Sequence, residues 1–423
     1  MMRRIIPCLT TALVLITVAA IPARAQSLLV PMDAEQTDHL KAYGLTYWVL
    51  QQGLTAEWLL NYRAGSFLLP DRPSVRREAA LRGVAYEPVD AAAVAQIRAV
   101  IEQENMESII LEKAPEIAVY TPPDTPPWDD AVTLALTYAD IPYTEVWDAD
   151  VLQGRLKDYD WLHLHHEDFT GQYSKFYINY GGAPWLQTEV RRNEEMAARF
   201  GKPNVPALKK AVAEEIRRYV AEGGFLFAMC TATETIELAL AAMGVDIAAP
   251  FSDGTPIDPA ATQKMNWGET FAFQDAEIQT NPGVNAFSDI DGHQVNTPWR
   301  QPLGAFTLFD FSAKFDPVPS MLVQDHEDVI PDFYGLTTSF RRDRLKPGTI
   351  VLAEEEGAPW VKYIHGNYGK GTWTFLGGHD PEDPQHQIGD APTDLALHPH
   401  SAGYRLILNN VLFPAAKKKT LKT

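Results

Sequence analysis

The stretch that most constrains the fold is Gly223-Gly224-Phe225-Leu226-Phe227-Ala228-Met229-Cys230-Thr231-Ala232-Thr233-Glu234. Phe225 to Met229 is an unbroken apolar run behind a Gly-Gly stop, which suits a strand buried on both faces of a parallel sheet. Thr231 and Glu234 have the spacing of a capping box, so a helix is expected immediately after Cys230, with Gly244 at its end. A thiol held between a buried strand and a helix N-terminus lies near unpaired N–H groups and the positive end of the helix dipole. Both favour thiolate over thiol. This is the layout of a nucleophile elbow, and the competing reading is a buried cysteine acting as a small hydrophobe.

Around this stretch, strands and helices alternate. Periodicity predicts strands at 28–32 and 56–60 with helices at 39–52, 75–82 and 91–104. A second unit has a strand at 117–120, a helix at 129–138 and a strand at 144–147, and both units read as βαβ pieces. A strand at 160–166 and helices at 193–200 and 207–221 lead to the elbow; strands at 349–354, 360–364 and 371–376 and a helix at 402–412 close the chain. The alternation implies an α/β fold with a doubly wound, mostly parallel, flavodoxin-like sheet. From about 250 to 348 short apolar runs, among them 270–273, 306–311 and 321–323, are broken by Pro, Gly, Asn and Asp. The expected division is therefore an N-terminal α/β extension at 26–113, a main domain in two parts at 114–249 and 349–415, a β-rich insertion at 250–348 and a basic tail at 416–423.

Charge and the N-terminus narrow the function. A net charge of −19 over 423 residues argues against nucleic acid as a partner. Met1-Met2-Arg3-Arg4, an apolar run to Ile21 and Ala23-Arg24-Ala25 form the pattern of a signal peptide at 1–25, with cleavage near Ala25 and a secreted or periplasmic product. Cys8 leaves with that segment, so Cys230 is the one remaining thiol and no internal disulfide is expected. No other window approaches the ~18 apolar residues of a transmembrane segment.

A thiol nucleophile needs a base, and the base needs a group that fixes its tautomer. His379 follows the strand at 371–376 as Cys230 follows its own, and in such sheets the strand ends share one rim. Asp380, Glu382 and Asp383 follow His379 at once. The cluster His163, His165, His166, Glu167, Asp168 ends another strand, with His163 and His165 on one face by alternation. His163, His165 and Asp168 could hold a divalent metal, or the group could line a hydrogen-bonded pocket. His386, His398 and His400 could approach the same rim. Trp185, Trp267, Trp299 and Trp360, in or beside irregular segments, suit either sugar stacking or packing. No Gly-rich phosphate-cradling loop is present.

The elbow Ala228-Met229-Cys230-Thr231-Ala232, the later Gly377-Gly378-His379-Asp380-Pro381 and the closing helix resemble the class I glutamine amidotransferase-like superfamily, which includes ThuA-like proteins. Asp38 to Gly44, Leu60 to Arg63, His165 to Tyr173 and the basic tail resemble exported bacterial proteins labelled asparagine synthetase B. The resemblance implies Cys230 as nucleophile and His379 as base, with Glu382 or Asp380 in the acid's place. His165, His166, Glu167, Asp168, Gln172 and Thr231 would then face a small amide or sugar-like ligand, with no cofactor unless the histidines bind metal. The elbow departs from the family pattern in having Ala228 and Ala232 where glycines are usual, and the usual His-x-acid spacing falls on Pro381. The chain lacks the amino-terminal cysteine and Ser-Gly-Gly-x-Asp-Ser loop of ATP-dependent asparagine synthetases, so synthetase chemistry is not expected. The expected function is a thiol-dependent amide hydrolase or amidotransferase, the alternative a noncatalytic or metal-dependent carbohydrate-binding protein.

Overall fold

The computed structural model describes residues 27–123, 130–293, 304–385 and 390–416. Residues 1–25, expected as a signal peptide, Trp299, His386 and residues 417–423 of the expected basic tail lie outside these residues. Two sheets organise the described residues. The first contains β1 (Ser27–Val30), β2 (Ala56–Leu60), β3 (Ser66–Pro70), β4 (Glu87–Val89) and β5 (Glu107–Leu111) in the order β4-β1-β3-β2-β5, with every pairing antiparallel. The N-terminal βαβ reading is therefore corrected. It overlooked β3, which returns beside β2 through a tight turn with Asn61, Arg63 and Ala64 in the left-handed region. Trp58 Nε1 donates to Gly65 O across that hairpin at 3.1 Å.

The second sheet holds β6 (Ile117–Tyr120), β7 (Thr144–Val146), β8 (Trp161–Leu164), β9 (Phe225–Met229), β10 (Ala305–Leu308), β11 (Val329–Pro331), β12 (Phe340–Arg341), β13 (Ile350–Glu355), β14 (Trp360–Tyr368) and β15 (Gly371–Leu376). Its order is β11-β10-β13-β14-β15-β9-β8-β6-β7, with β12 beside β14. Strands β7, β6, β8, β9 and β15 are mutually parallel, whereas β14, β13, β10 and β11 continue the sheet antiparallel. The sheet is thus mixed rather than mostly parallel, because β13, β14 and β15 are joined by short turns where a parallel pair would need a crossover. Counted along the chain, the five parallel strands lie in the order 2-1-3-4-5.

Alternation along these strands feeds two cores. Val119, Trp161, Phe225, Phe227 and Met229 pack with Val132 and Leu406 on one face, and Tyr120, Leu162, Leu164, Leu226 and Ala228 pack with Val212, Ile216 and Ile236 on the other. Helices Ala131–Tyr138 and Ala402–Leu412 cover the first face; Val205–Glu222 and Ala232–Ala241 cover the second. Each large side chain so buried contributes about 1.5–3 kcal/mol. Helix His39–Gln51 packs against Ala402–Leu412, so the first sheet shares the first core. The span expected to be β-rich adds β10, β11 and β12 but is mostly turns and short helices; Met321 and Leu322 end the helix Pro317–Leu322. No helix among the described residues is long and apolar enough to cross a membrane.

Candidate functional site

Parallel strands deliver their C-terminal ends to one edge, and four such ends converge here. Asp130 follows β6, His165 follows β8, Cys230 follows β9 and His379 follows β15. The register Leu376↔Met229 sets the Cys230 and His379 turns side by side, and Cys230 N–H donates to Gly378 O at 3.1 Å.

Cys230 has φ +49°, the left-handed region that a side chain with a Cβ rarely adopts. Holding it there costs on the order of 1–3 kcal/mol, which the flanking strand and helix must enforce. Its carbonyl accepts from Thr233 N–H (3.2 Å) and Thr233 Oγ1 (2.7 Å), and its Sγ lies 3.7 Å from Thr231 Oγ1. The capping box is not formed. Thr231 is already helical (φ −56°, ψ −35°) with no side-chain cap, and helix Ala232–Ala241 ends before Gly244. Glu234 is instead buried, accepting from the hydroxyls of Ser288 and Thr337 (3.0 Å). Burial pushes its carboxyl up to about 8, with the nearby Asp291 adding to the rise and the two hydroxyls opposing it. The thiol is 2% exposed and His379 7%, so the pair sits beneath the rim rather than at an open cleft mouth.

His379 N–H donates to Tyr334 O at 2.7 Å, and His379 Nδ1 lies 3.0 Å from His165 Nε2, the rings perpendicular at 4.5 Å. His165 is tied back to the elbow, because its carbonyl accepts from Ala232 N–H at 2.9 Å. Beyond it stands Asp130, a residue that sequence reasoning missed. Its Oδ1 caps helix Ala131–Tyr138 by accepting from Val132 N–H (2.8 Å) and Thr133 N–H (3.1 Å), while its two oxygens lie 3.3 Å from His163 Nε2 and 3.5 Å from His165 Nδ1. The available signal was an Asp just before an apolar helical run, the mark of an N-cap.

Burial alone would raise the Asp130 carboxyl, but the His165 and His163 rings that face it outweigh burial and hold the group well below the usual carboxylate range. Burial drives His165 well below its ordinary value despite Asp130, so the ring is neutral. His163 lies within 28° of parallel to both Trp161 and Phe227, and its Nδ1 is 3.1 Å from Phe227 O. A carbonyl can only accept, so Nδ1 carries the proton.

The remaining sequence candidates lie close by with other partners. Asp380 accepts from Glu382 N–H (2.8 Å) and Thr393 Oγ1 (2.7 Å), and Glu382 meets His398 Nδ1 at 2.8 Å. His379 Nδ1 meets His165, with Asp130 behind that ring. Glu167 accepts from His165 N–H at 2.9 Å and is raised by burial. Asp168, also raised by burial, organises its own loop by accepting from Thr170, Gln172 and Ser174. The carboxylate beside His163 and His165 is therefore Asp130. Gln172 donates to Thr170 Oγ1 (3.1 Å) and accepts from Ala249 N–H (3.2 Å). The His166 ring lies 5.5 Å from that of His165 and 6.2 Å from that of His379. His400 turns away to His39, with Nδ1 atoms 2.9 Å apart. Trp185 is 44% exposed against Phe176 and Tyr180.

No protein-family model matches the chain, and no curated protein matches it. Solved structures similar to it include a cytoplasmic protein from Salmonella typhimurium (11% identity, 74% of this chain and 91% of that one, TM-score 0.34). A second cytoplasmic protein from that organism has 13% identity over 68% of this chain and 86% of its own, TM-score 0.34. A ThuA-like protein from Bacteroides uniformis has 11% identity over 70% and 92%, TM-score 0.27. The asparagine synthetase B resemblance finds no support among these. Overlaps this loose leave the chemistry of the site to its own geometry.

Proposed function

We infer that the chain is an exported thiol-dependent hydrolase of the class I glutamine amidotransferase-like kind, acting on a small amide through Cys230 and His379 on a flavodoxin-like sheet. The observation that carries this reading is the left-handed Cys230 at a parallel strand–helix junction, beside the strand end that bears His379. A free structural cysteine gains nothing from a strained backbone, whereas a nucleophile elbow is built from one. In the reaction, Cys230 Sγ forms a bond to the substrate carbonyl carbon and its proton passes through His379 to the departing amine. Water then cleaves the thioester and returns the thiol. The perpendicular contact of His165 with His379, backed by Asp130, supplies the orienting group that a base requires.

The test is turnover of a panel of small amides by the mature protein. Cys230→Ser and His379→Ala should each abolish it, and the double variant should be no worse than either, because nucleophile and base act as a unit. Turnover surviving Cys230→Ser would overturn the reading. One observation favours a second function. Trp185, Tyr180 and Phe176 form an exposed aromatic group after the histidine loop, suited to stacking on a sugar ring. Sugar affinity lost in Trp185→Ala by a protein that cleaves no amide would select it.

A further inference from the structure

We propose that Asp130, His163 and His165 bind one divalent transition-metal ion of the zinc class, at a site distinct from the thiol. The three residues are fully buried and offer donors that lie within 4.8 Å of one another. Zinc–ligand bonds of about 2.0–2.1 Å in tetrahedral geometry set neighbouring donors about 3.3–3.4 Å apart. The separations found, 3.3 Å from Asp130 Oδ2 to His163 Nε2 and 3.5 Å from Asp130 Oδ1 to His165 Nδ1, one to each carboxylate oxygen, are close to that spacing.

The ring nitrogens point at the carboxylate, yet neither has an aligned hydrogen-bond partner, a costly state for buried polar atoms. The other ring atoms are already committed as outer contacts of a metal site usually are. His163 donates Nδ1–H to Phe227 O at 3.1 Å, which leaves its Nε2 lone pair facing inward. His165 Nε2 meets His379 Nδ1 at 3.0 Å, which frees its Nδ1 to ligate. The helix N-terminus fixes the Asp130 carboxylate through Val132 and Thr133. Two imidazoles and a carboxylate suit zinc, and three protein ligands leave a fourth position for water or a substrate oxygen.

The position in the fold points the same way. Asp130 follows the first parallel strand and His165 the third, and these strands are neighbours because the second lies on the far side of the first. The chain therefore leaves them in opposite directions, which makes this the switch point at which ligands of such sheets bind.

The experiment titrates untagged, chelator-dialysed protein with Zn²⁺ by calorimetry and records the visible spectrum with Co²⁺. Wild type and Cys230→Ala should each bind one ion per chain, and the cobalt bands should lack a thiolate charge-transfer feature. Asp130→Asn, which keeps the shape of the side chain, should weaken binding by at least about a hundredfold. In wild-type protein, ¹⁵N resonances of His163 Nε2 and His165 Nδ1 should move on zinc addition while His163 Nδ1 stays protonated. That readout needs no variant to fold. Absence of binding, binding unchanged in Asp130→Asn, a thiolate band, or shifts confined to other histidines would each overturn the assignment.

Discussion

Glu234 links the pH of the medium to the loops over the site. Its carboxylate oxygens hold Ser288 and Thr337, and Thr337 O in turn accepts Gly378 N–H beside His379. Its ordinary value is 4.5 and burial lifts it to about 8 in the fold. Between these pH values the folded chain keeps a proton that the unfolded chain has released, so unfolding becomes easier as pH rises. Below 4.5 both states hold the proton and the cost is absent. Each pH unit between the two values removes about 1.4 kcal/mol, up to a ceiling of about 5 kcal/mol above pH 8, the opposing charge of nearby Lys175 being already contained in that value. Glu237 (about 7) and Asp291 (about 6), both raised by burial, act in the same direction. Glu234→Gln keeps the shape, accepts or donates to the same hydroxyls and cannot ionise. Urea unfolding from about pH 5 to about pH 9 should show the variant gaining on wild type by several kcal/mol as pH rises. A difference that stays constant with pH would mean that Glu234 does not change its protonation in the fold.

Two further substitutions probe the frame of the same rim. Lys362 is fully buried against Asp332 (2.5 Å), Phe333 O and Thr338 O, so Lys362→Met should cost about 3–5 kcal/mol by urea unfolding, and adding Asp332→Asn should recover part of it. A Cβ at Gly377 would stand 2.2 Å from Thr338 O, so Gly377→Ala should destabilise by more than about 2 kcal/mol and lower amide turnover through the displaced His379; unchanged melting and turnover would refute that contact.

The sequence carried the elbow and the shared face of His163 and His165 because both are local: an apolar run of five residues, and a two-residue alternation. It failed where partners are remote. Glu234 has the spacing of a capping residue, yet its partners lie 54 and 103 positions along the chain. Asp130 reads as nothing more than the start of a helix, and only the parallel register of β6 with β8 brings it to His163. Strand β3 escaped, and β13 and β14, expected as strands, were not expected to run antiparallel, for the same reason. A run of apolar residues specifies a strand, whereas its direction depends on neighbours chosen by the whole sheet. The third member behind His379 was sought among the carboxylates that follow it; Asp380 accepts from Thr393 and Glu382 meets His398, while the contact at His379 Nδ1 is to His165, which lies 214 positions away in the chain.

The two proposals meet at one proton. His165 is neutral, so it carries a single ring hydrogen that must be on Nδ1, toward Asp130, or on Nε2, toward His379. With the hydrogen on Nδ1, Nε2 accepts from His379 Nδ1–H, and the other nitrogen of His379 is bare and can take a proton from a thiol. With a metal on Nδ1, the hydrogen moves to Nε2 and is donated to His379 Nδ1, so a neutral His379 must hold its own hydrogen on Nε2. The same ring then presents an N–H where a base needs a lone pair, so it can donate a hydrogen bond but cannot take the thiol's proton. Occupancy of the Asp130 site would thus set whether His379 can act as the base. The 3.0 Å contact between the two imidazoles is the element through which buried Asp130 would act on the proposed chemistry at Cys230.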